Sequence, residues 1–263
     1  MEILQLVDDV LKVTPWNQSK VQAGFSTRKG GVSESPYQSM NLGIHVNDSE
    51  TAVLKNREIF SQKANTDLSS WKAVNQVHSN NIMDLSKESG GHQYNHHHPE
   101  VDADGMITNQ VGQVLTAFYA DCVPLLFKSK DDHWIGIAHA GWKGTVSEIG
   151  PKMVHLFNEK GIDSKNLEVV IGPCISKNNY EVDQRVADHV PEKFHSEVLM
   201  PTREGHYLLD LKRLNTLFLV DNGVNESSVY ITNYCTFNDE EWLFSHRRDQ
   251  GKTGRMMAYL YKQ

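Results

Sequence analysis

Cysteine is scarce in this chain: three residues in 263, an odd number placed far apart. That excludes a disulfide-built scaffold and fits a reducing, cytosolic setting. Long apolar runs are missing as well, with none near the ~20 residues that a membrane-spanning helix needs. The amino-terminal MEILQLVDDVLKV is acidic and amphipathic rather than basic and then apolar, so neither a signal peptide nor a membrane partner is expected. Positive charge is also in deficit. Lysine and arginine number 26 against 33 acidic residues, a net charge of -7, which argues against a nucleic-acid partner. No internal repeat, linker or composition break interrupts the sequence. The expectation is a cytoplasmic protein built as one domain over residues 1–263, long enough to bury a core without staples.

What is present are short, fully apolar runs. Val114–Tyr119, Val123–Phe127, Trp134–Ala138 and Leu167–Ile171 are aromatic and β-branched, and they read as buried strands. Val21–Phe25, Trp71–Val77, Asp102–Thr108 and Val229–Thr232 are further strand candidates. Helices are expected after Asp48 or Ser49 as N-cap, around Asp183–His189, and over Asp210–Val220. Thr145-Val146-Ser147-Glu148 matches a capping box and opens a helical pattern of Val146, Ile149, Met153, Leu156 and Phe157, ended by Gly161. Pro151 should bend that helix. The polar stretch Ser86–Pro99, with His96-His97-His98, reads as a solvated loop, because adjacent side chains seldom converge on one ion. The whole is an α+β pattern.

Chemistry concentrates where such strands end, since the sheet holds those side chains rigid. His78, Cys122 and His139 all fall there. One thiolate and two imidazoles suit zinc, and three protein ligands leave the fourth tetrahedral position open, as in catalytic sites. Asp121 or Asp104 could orient a ligating imidazole. The spacing by itself leaves another reading open, in which Cys122 is a small buried hydrophobe and the histidines are ordinary strand-end residues. Gly141–Thr145 with Lys143 could receive a phosphate at a helix start, although no Walker A pattern is present. Arg28 in TRKGG and the run Ser245–Arg255 are candidate anion contacts. The deaminase signature of H-x-E with P-C-x-x-C is absent, so any deamination needs another acid/base, for which Asp121 is the candidate. A copper oxidase would want an axial methionine and paired H-x-H motifs, and His96 with His98 is the sole such pair. A Cys-His hydrolase, with Cys122 as nucleophile and His139 as base, is the third option.

Several segments occur in the order of one family: GFSTRKGG (Gly24–Gly31), NLG (Asn41–Gly43), QVHS (Gln76–Ser79), DADGMIT (Asp102–Thr108), ADCVPLLF (Ala120–Phe127), AHAGWKGT (Ala138–Thr145), IGPCIS (Ile171–Ser176), YEV (Tyr180–Val182) and SHRRDQGKTGR (Ser245–Arg255). The chain resembles the YfiH/YlmD-type purine nucleoside phosphorylases, long labelled laccase-domain or multicopper polyphenol oxidoreductase proteins. The resemblance implies a four-layer α/β/β/α sandwich with mixed sheets, shared with bacterial toxin deamidases. It implies zinc on His78, Cys122 and His139, where copper could enter adventitiously because it binds nitrogen and sulfur sites tightly. It also implies phosphorolysis of adenosine, inosine and methylthioadenosine, with deamination of adenosine. The substrate and phosphate contacts expected on this basis are Arg28, Asn41, Lys143 and Gly144, and a homodimer is compatible with it. Where the family often has arginine in the AGWRG turn, this chain has Lys143; where it often has tyrosine in SYRRD, it has His246.

Overall fold

The computed structural model describes residues 1–87 and 97–263. Two six-stranded mixed sheets carry the architecture. The first runs β1 (Leu4–Val7), β2 (Val10–Val13), β3 (Val21–Ser26), β15 (Met256–Lys262), β7 (Val114–Tyr119) and β4 (Trp71–Lys72). The second runs β14 (Val229–Ile231), β10 (Leu167–Ile171), β8 (Val123–Ser129), β9 (Ile135–Ala140), β6 (Gly105–Thr108) and β5 (Ile82–Asp84). A small third sheet has the order β11 (Glu181–Asp183), β13 (His206–Leu209), β12 (Leu199–Arg203). The described helices are α1 (Glu50–Lys63), α2 (Trp142–Val146), α3 (Ile149–Glu159), α4 (Gln184–Ala187), α5 (His195–Val198) and α6 (Leu211–Asp221).

The two large sheets stack face to face, and alternation along their strands shows it. On β8, Val123, Leu125 and Phe127 pack with Ile149, Met153 and Phe157 of α3 and with Leu214 and Phe218 of α6. Leu126 points the other way, into a layer shared with Leu115, Ala117 and Tyr119 of β7 and Ala258 and Leu260 of β15. The remaining face of the first sheet, Val114, Phe118, Met257 and Tyr259, packs on Phe60 of α1 and on Trp71. The order helix, sheet, sheet, helix is therefore the expected four-layer sandwich. It also explains the continuous apolar runs: strands covered on both faces have no polar side to alternate with.

Local expectations fare unevenly. Asp210 caps α6 by accepting from the Arg213 N–H at 2.9 Å, and Asp183 caps α4 through Val186 N–H at 3.1 Å. Of the two N-cap candidates for α1, the cap is Ser49. The capping box at Thr145 does not form. Thr145 lies inside the short α2, its hydroxyl bonded to the Ala140 carbonyl at 3.2 Å, and the chain breaks at Glu148 (φ 61°) before α3 begins. Pro151 consequently falls in the first turn of α3, where its missing N–H has no helical acceptor to lose, and no bend is needed. The strand expected over Trp71–Val77 stops at Lys72. From there the Gln76 side-chain amide replaces a strand, donating to Phe118 O at 2.9 Å and accepting from Phe118 N at 2.8 Å. A hairpin at Leu4–Val13 was not expected at all. Of the loop expected over Ser86–Pro99, residues 88–96, including His96, lie outside the described residues.

Candidate active site

The layer between the two sheets is apolar along most of its length and turns polar at one end. On β9, Ile135 and Ile137 face that layer, and His139, two residues on, continues the same face into the polar end. Cys122 stands immediately before β8, in the short passage that carries the chain from β7 in one sheet to β8 in the other. His78 comes from the segment after β4. Strand direction thus delivers two of the three groups, and a loop delivers the third.

Asp104 holds that loop. Its buried carboxylate accepts from the N–H of His78 at 3.1 Å, from the N–H of Ser79 at 2.5 Å and from the Ser79 hydroxyl at 2.8 Å. These bonds fix the backbone at His78 in a left-handed conformation (φ 61°), which a non-glycine residue keeps only when its surroundings demand it. The same carboxylate lies 2.8 Å from His139 Nδ1. Burial pushes Asp104 up, but the hydrogen bonds from His139 and Ser79 outweigh it and hold the carboxyl below its usual range. An ionised carboxylate can only accept, so His139 holds a proton on Nδ1, and Nε2 is the nitrogen left to bind a metal once its own proton is lost.

The Cys122 sulfur lies 3.9 Å from His78 Nε2, and the ligand atoms of His78, Cys122 and His139 all fall within 4.8 Å of one another. Bonds of about 2.0–2.3 Å to a tetrahedral ion separate its ligands by about 3.3–3.6 Å, so this donor set closes on a zinc-sized ion with shifts near 1 Å or less. The space around it is shaped to match: a Cβ added at Gly141 would sit 2.9 Å from Cys122 Sγ and 3.1 Å from His78 Cδ2. In the metal-free chain the three groups polarise one another. Burial raises the Cys122 thiol, yet His139 and His78 more than reverse this and bring it to about 6. Burial lowers His139, and the Cys122 thiolate with Asp104 overrides it, raising the imidazolium to about 9.

These groups open into a cavity of 520 Å³. Phe118, Trp142 and Tyr180 supply aromatic wall, Lys143, Arg247 and Arg255 supply cationic wall, and His246 lines the cavity beside them. The Arg247 guanidinium sits 5.2 Å over the Tyr180 ring. His45 also lines the cavity, and burial, then Arg255 and Arg57, hold it down to about 4, so its ring is neutral at neutral pH. Asp121 lines the cavity without touching an imidazole. It accepts from the Thr236 hydroxyl at 2.5 Å and from the Arg247 N–H at 2.8 Å, so of the two carboxylates considered, the orienting one is Asp104.

Three expected contacts stand elsewhere. Arg28 spends its guanidinium on the carbonyls of Gln38 and Glu240 and stacks 4.8 Å over Phe244. Asn41 is buried, its amide bonded to Gly43 O and Asp48 and its oxygen to the N–H groups of Gly43 and Arg255. Gly144 is packed against the carbonyls of His139 and Ser79. A five-residue α2 also makes a poor anion site from its backbone alone. Tyr180 and Trp142 stand in the segments YEV and AHAGWKGT, but neither they nor His45 stand out in the sequence as site residues, because aromatic and imidazole side chains far apart in the chain meet only through the fold.

The geometry agrees with what this chain is similar to. The family described as "Multi-copper polyphenol oxidoreductase laccase" matches residues 22–263. The purine nucleoside phosphorylase YlmD of Bacillus subtilis (strain 168) is 42% identical over 251 residues, covering 94% of this chain and 90% of that protein. The crystal structure of YlmD from Geobacillus stearothermophilus superposes with a TM-score of 0.94 at 35% identity, covering 100% of both chains. The Bacillus licheniformis protein YfiH gives a TM-score of 0.92 at 35% identity, covering 98% of this chain and 97% of that one. With its sandwich and nearly its whole length accounted for, the chain belongs to the YlmD/YfiH family of laccase-like proteins.

Proposed function

We propose that this protein is a purine nucleoside phosphorylase whose metal, zinc, sits on His78, Cys122 and His139. The observation that carries the reading is the meeting, in one cavity, of that three-ligand set with aromatic walls and a cluster of cations. Relatives named purine nucleoside phosphorylase support it. Phosphate, a dianion near neutral pH, is drawn to Arg255, Arg247 and Lys143, and the arginine forks match its oxygens in pairs. Phe118, Trp142 and Tyr180 offer ring faces to a purine. In the reaction a phosphate oxygen attacks C1′ of the ribose as the bond from C1′ to the purine nitrogen breaks. The bond's electron pair leaves with the base, which takes up a proton, and ribose 1-phosphate remains. When bound, the metal supplies a Lewis acid or a water of lowered pKa, near ~7. Asp104 orients His139 and the His78 backbone, and Asp121, through the Arg247 N–H, holds the cationic wall.

Adenosine, inosine and methylthioadenosine are the proposed substrates. Deamination of adenosine is a finer proposal, in which Asp121 is the acid/base and water the attacking group. The test is incubation of the purified protein with adenosine, with and without phosphate. Adenine and ribose 1-phosphate only in the presence of phosphate support phosphorolysis, and inosine supports deamination. Neither product, at full metal occupancy, overturns the reading.

A metal-free cysteine hydrolase is favoured by one observation of its own: Cys122, His139 and Asp104 form a nucleophile, base and orienter in series. Activity that survives complete removal of the metal would select it. A blue-copper oxidase finds less support, since among the described residues no methionine lines the cavity to serve as axial ligand.

A further inference from the structure

The sequence carries a histidine run that the proposed activity does not use. Adjacent side chains were not expected to converge, yet two of them do. The rings of His97 and His98 lie 4.4 Å apart at 67°, and both Nε2 atoms approach the same carboxylate oxygen of Glu50, at 3.6 Å and 3.7 Å. All three ligand atoms fall within 4.8 Å of one another. Glu50 is the first residue of α1, so its carboxylate is held on a regular element. Arg57, one of three cations on the same helix, donates to the Leu42 carbonyl and stacks over the Phe118 ring at 4.7 Å.

We propose that Glu50, His97 and His98 form a second site for a divalent transition-metal ion such as zinc, separate from Cys122. Two imidazoles and a carboxylate are a known zinc donor set. Tetrahedral bonds of about 2.0–2.1 Å place ligand atoms about 3.3 Å apart, so the histidine–glutamate pairs need to close by only a few tenths of an ångström. His98 and Glu50 are exposed, so water reaches the ion and fills its remaining positions. The bound ion ties the segment before Pro99 to the first turn of α1. That helix in turn fixes the Ser39–Leu42 stretch through Asn56 and Arg57. The site's role is that of a clamp.

The experiment is zinc stoichiometry on full-length, tag-free protein prepared metal-free, read by equilibrium dialysis and elemental analysis. The unsubstituted protein should take two equivalents. Cys122→Ser should retain the equivalent at Glu50, and His97→Ala/His98→Ala should retain the equivalent at Cys122 with its phosphorolysis rate within twofold of the unsubstituted protein. Glu50→Gln takes away the anionic donor and should weaken the second equivalent by at least about tenfold. Cobalt(II) gives an independent reading, because the near-ultraviolet thiolate band reports the Cys122 site alone. In Cys122→Ser cobalt should still bind, without that band. A single equivalent in the unsubstituted protein, or unchanged stoichiometry in the double histidine variant, overturns the proposal. Because Cys122→Ser is read separately, failure of the phosphorylase reading leaves this outcome distinct.

Discussion

One face of β9 carries Ile135, Ile137 and His139, and the two halves of that face do opposite work. Ile135 and Ile137 are fully buried between the sheets among Leu126, Leu115 and Phe25. His139, one pleat further, is nearly as buried but meets Asp104, Cys122 and the cavity. The backbone is continuous across the change, with β8 paired to β9 from Lys128–Ile135 through Val123–Ala140. The site is therefore the last layer of the core, with an imidazole and a thiol standing where aliphatic side chains would otherwise close the sandwich. A core packed at near-crystalline density is what fixes those groups.

Substitutions on the two halves should separate cleanly, and here the largest effect is expected. His139→Ala removes one of the three groups proposed to hold the metal. Loss of several kcal/mol of transition-state stabilisation corresponds to a fall in activity of about three orders of magnitude, read as kcat/KM for phosphorolysis, with zinc content falling in parallel. Ile137→Ala should instead cost about 2–5 kcal/mol of stability by denaturant unfolding, while activity per folded molecule stays within a few-fold. If Ile137→Ala abolishes activity in fully folded protein, the division between scaffold and chemistry is wrong.

A second effect belongs to the polar half alone. With Cys122 held at about 6 against an ordinary thiol value near 9, the metal-free protein should be alkylated by iodoacetamide with a midpoint near pH 6. The sign follows from which form reacts. The thiolate is the nucleophile, its fraction rises with pH, and reactivity is lost as pH falls through about 6. Cys174, buried among apolar groups and pushed up to about 12, should stay inert over the same range. Zinc should protect Cys122 and leave Cys174 unchanged. A Cys122 midpoint above pH 8 would mean that His139 and His78 do not stabilise its charge.

How much of this could be read from the sequence follows from the same division. The apolar half was legible because burial on both faces writes itself as unbroken runs at Val114–Tyr119, Val123–Phe127 and Leu167–Ile171. The Leu4–Val13 hairpin was not, because its two-residue turn is Asp8-Asp9, both with φ above zero (49° and 63°), where the familiar signal has glycine second. Thr145-Val146-Ser147-Glu148 had the letters of a capping box, but the chain breaks at Glu148. In the polar half, His78, Cys122 and His139 were identified as strand-end residues and through family resemblance, since ligands 44 and 17 positions apart make no local motif. Arg28 and Asn41 matched conspicuous segments whose work is to brace the backbone, while Arg247 and Arg255, inside a charge run, reached the cavity.

The buttress behind the ligands should have an intermediate effect. Asp104→Asn keeps the shape but removes the charge that fixes the His139 tautomer and clamps the His78 backbone. Groups in this position typically alter metal affinity by about 10–100-fold, which competition with a chromophoric chelator would measure. An affinity unchanged within twofold would show that the sheet alone positions His139.

The smallest effect concerns two glycines that are needed for different reasons. Gly141 has φ −62°, open to any residue, so alanine there carries no backbone strain and only the missing space matters. Its Cβ would come within 2.9 Å of Cys122 Sγ, displacing a ligand by a few tenths of an ångström. Gly112 is the reverse, with φ 82° and nothing within 4 Å of an added Cβ. Gly141→Ala should therefore weaken zinc binding several-fold at nearly unchanged melting temperature. Gly112→Ala should lower stability by about 1 kcal/mol and leave zinc affinity alone. Should Gly141→Ala bind zinc as tightly as the unsubstituted protein, the ligands have slack that close packing would not allow. The rigidity argued for the polar half would then reside in Asp104 and not in the packed layer beneath it.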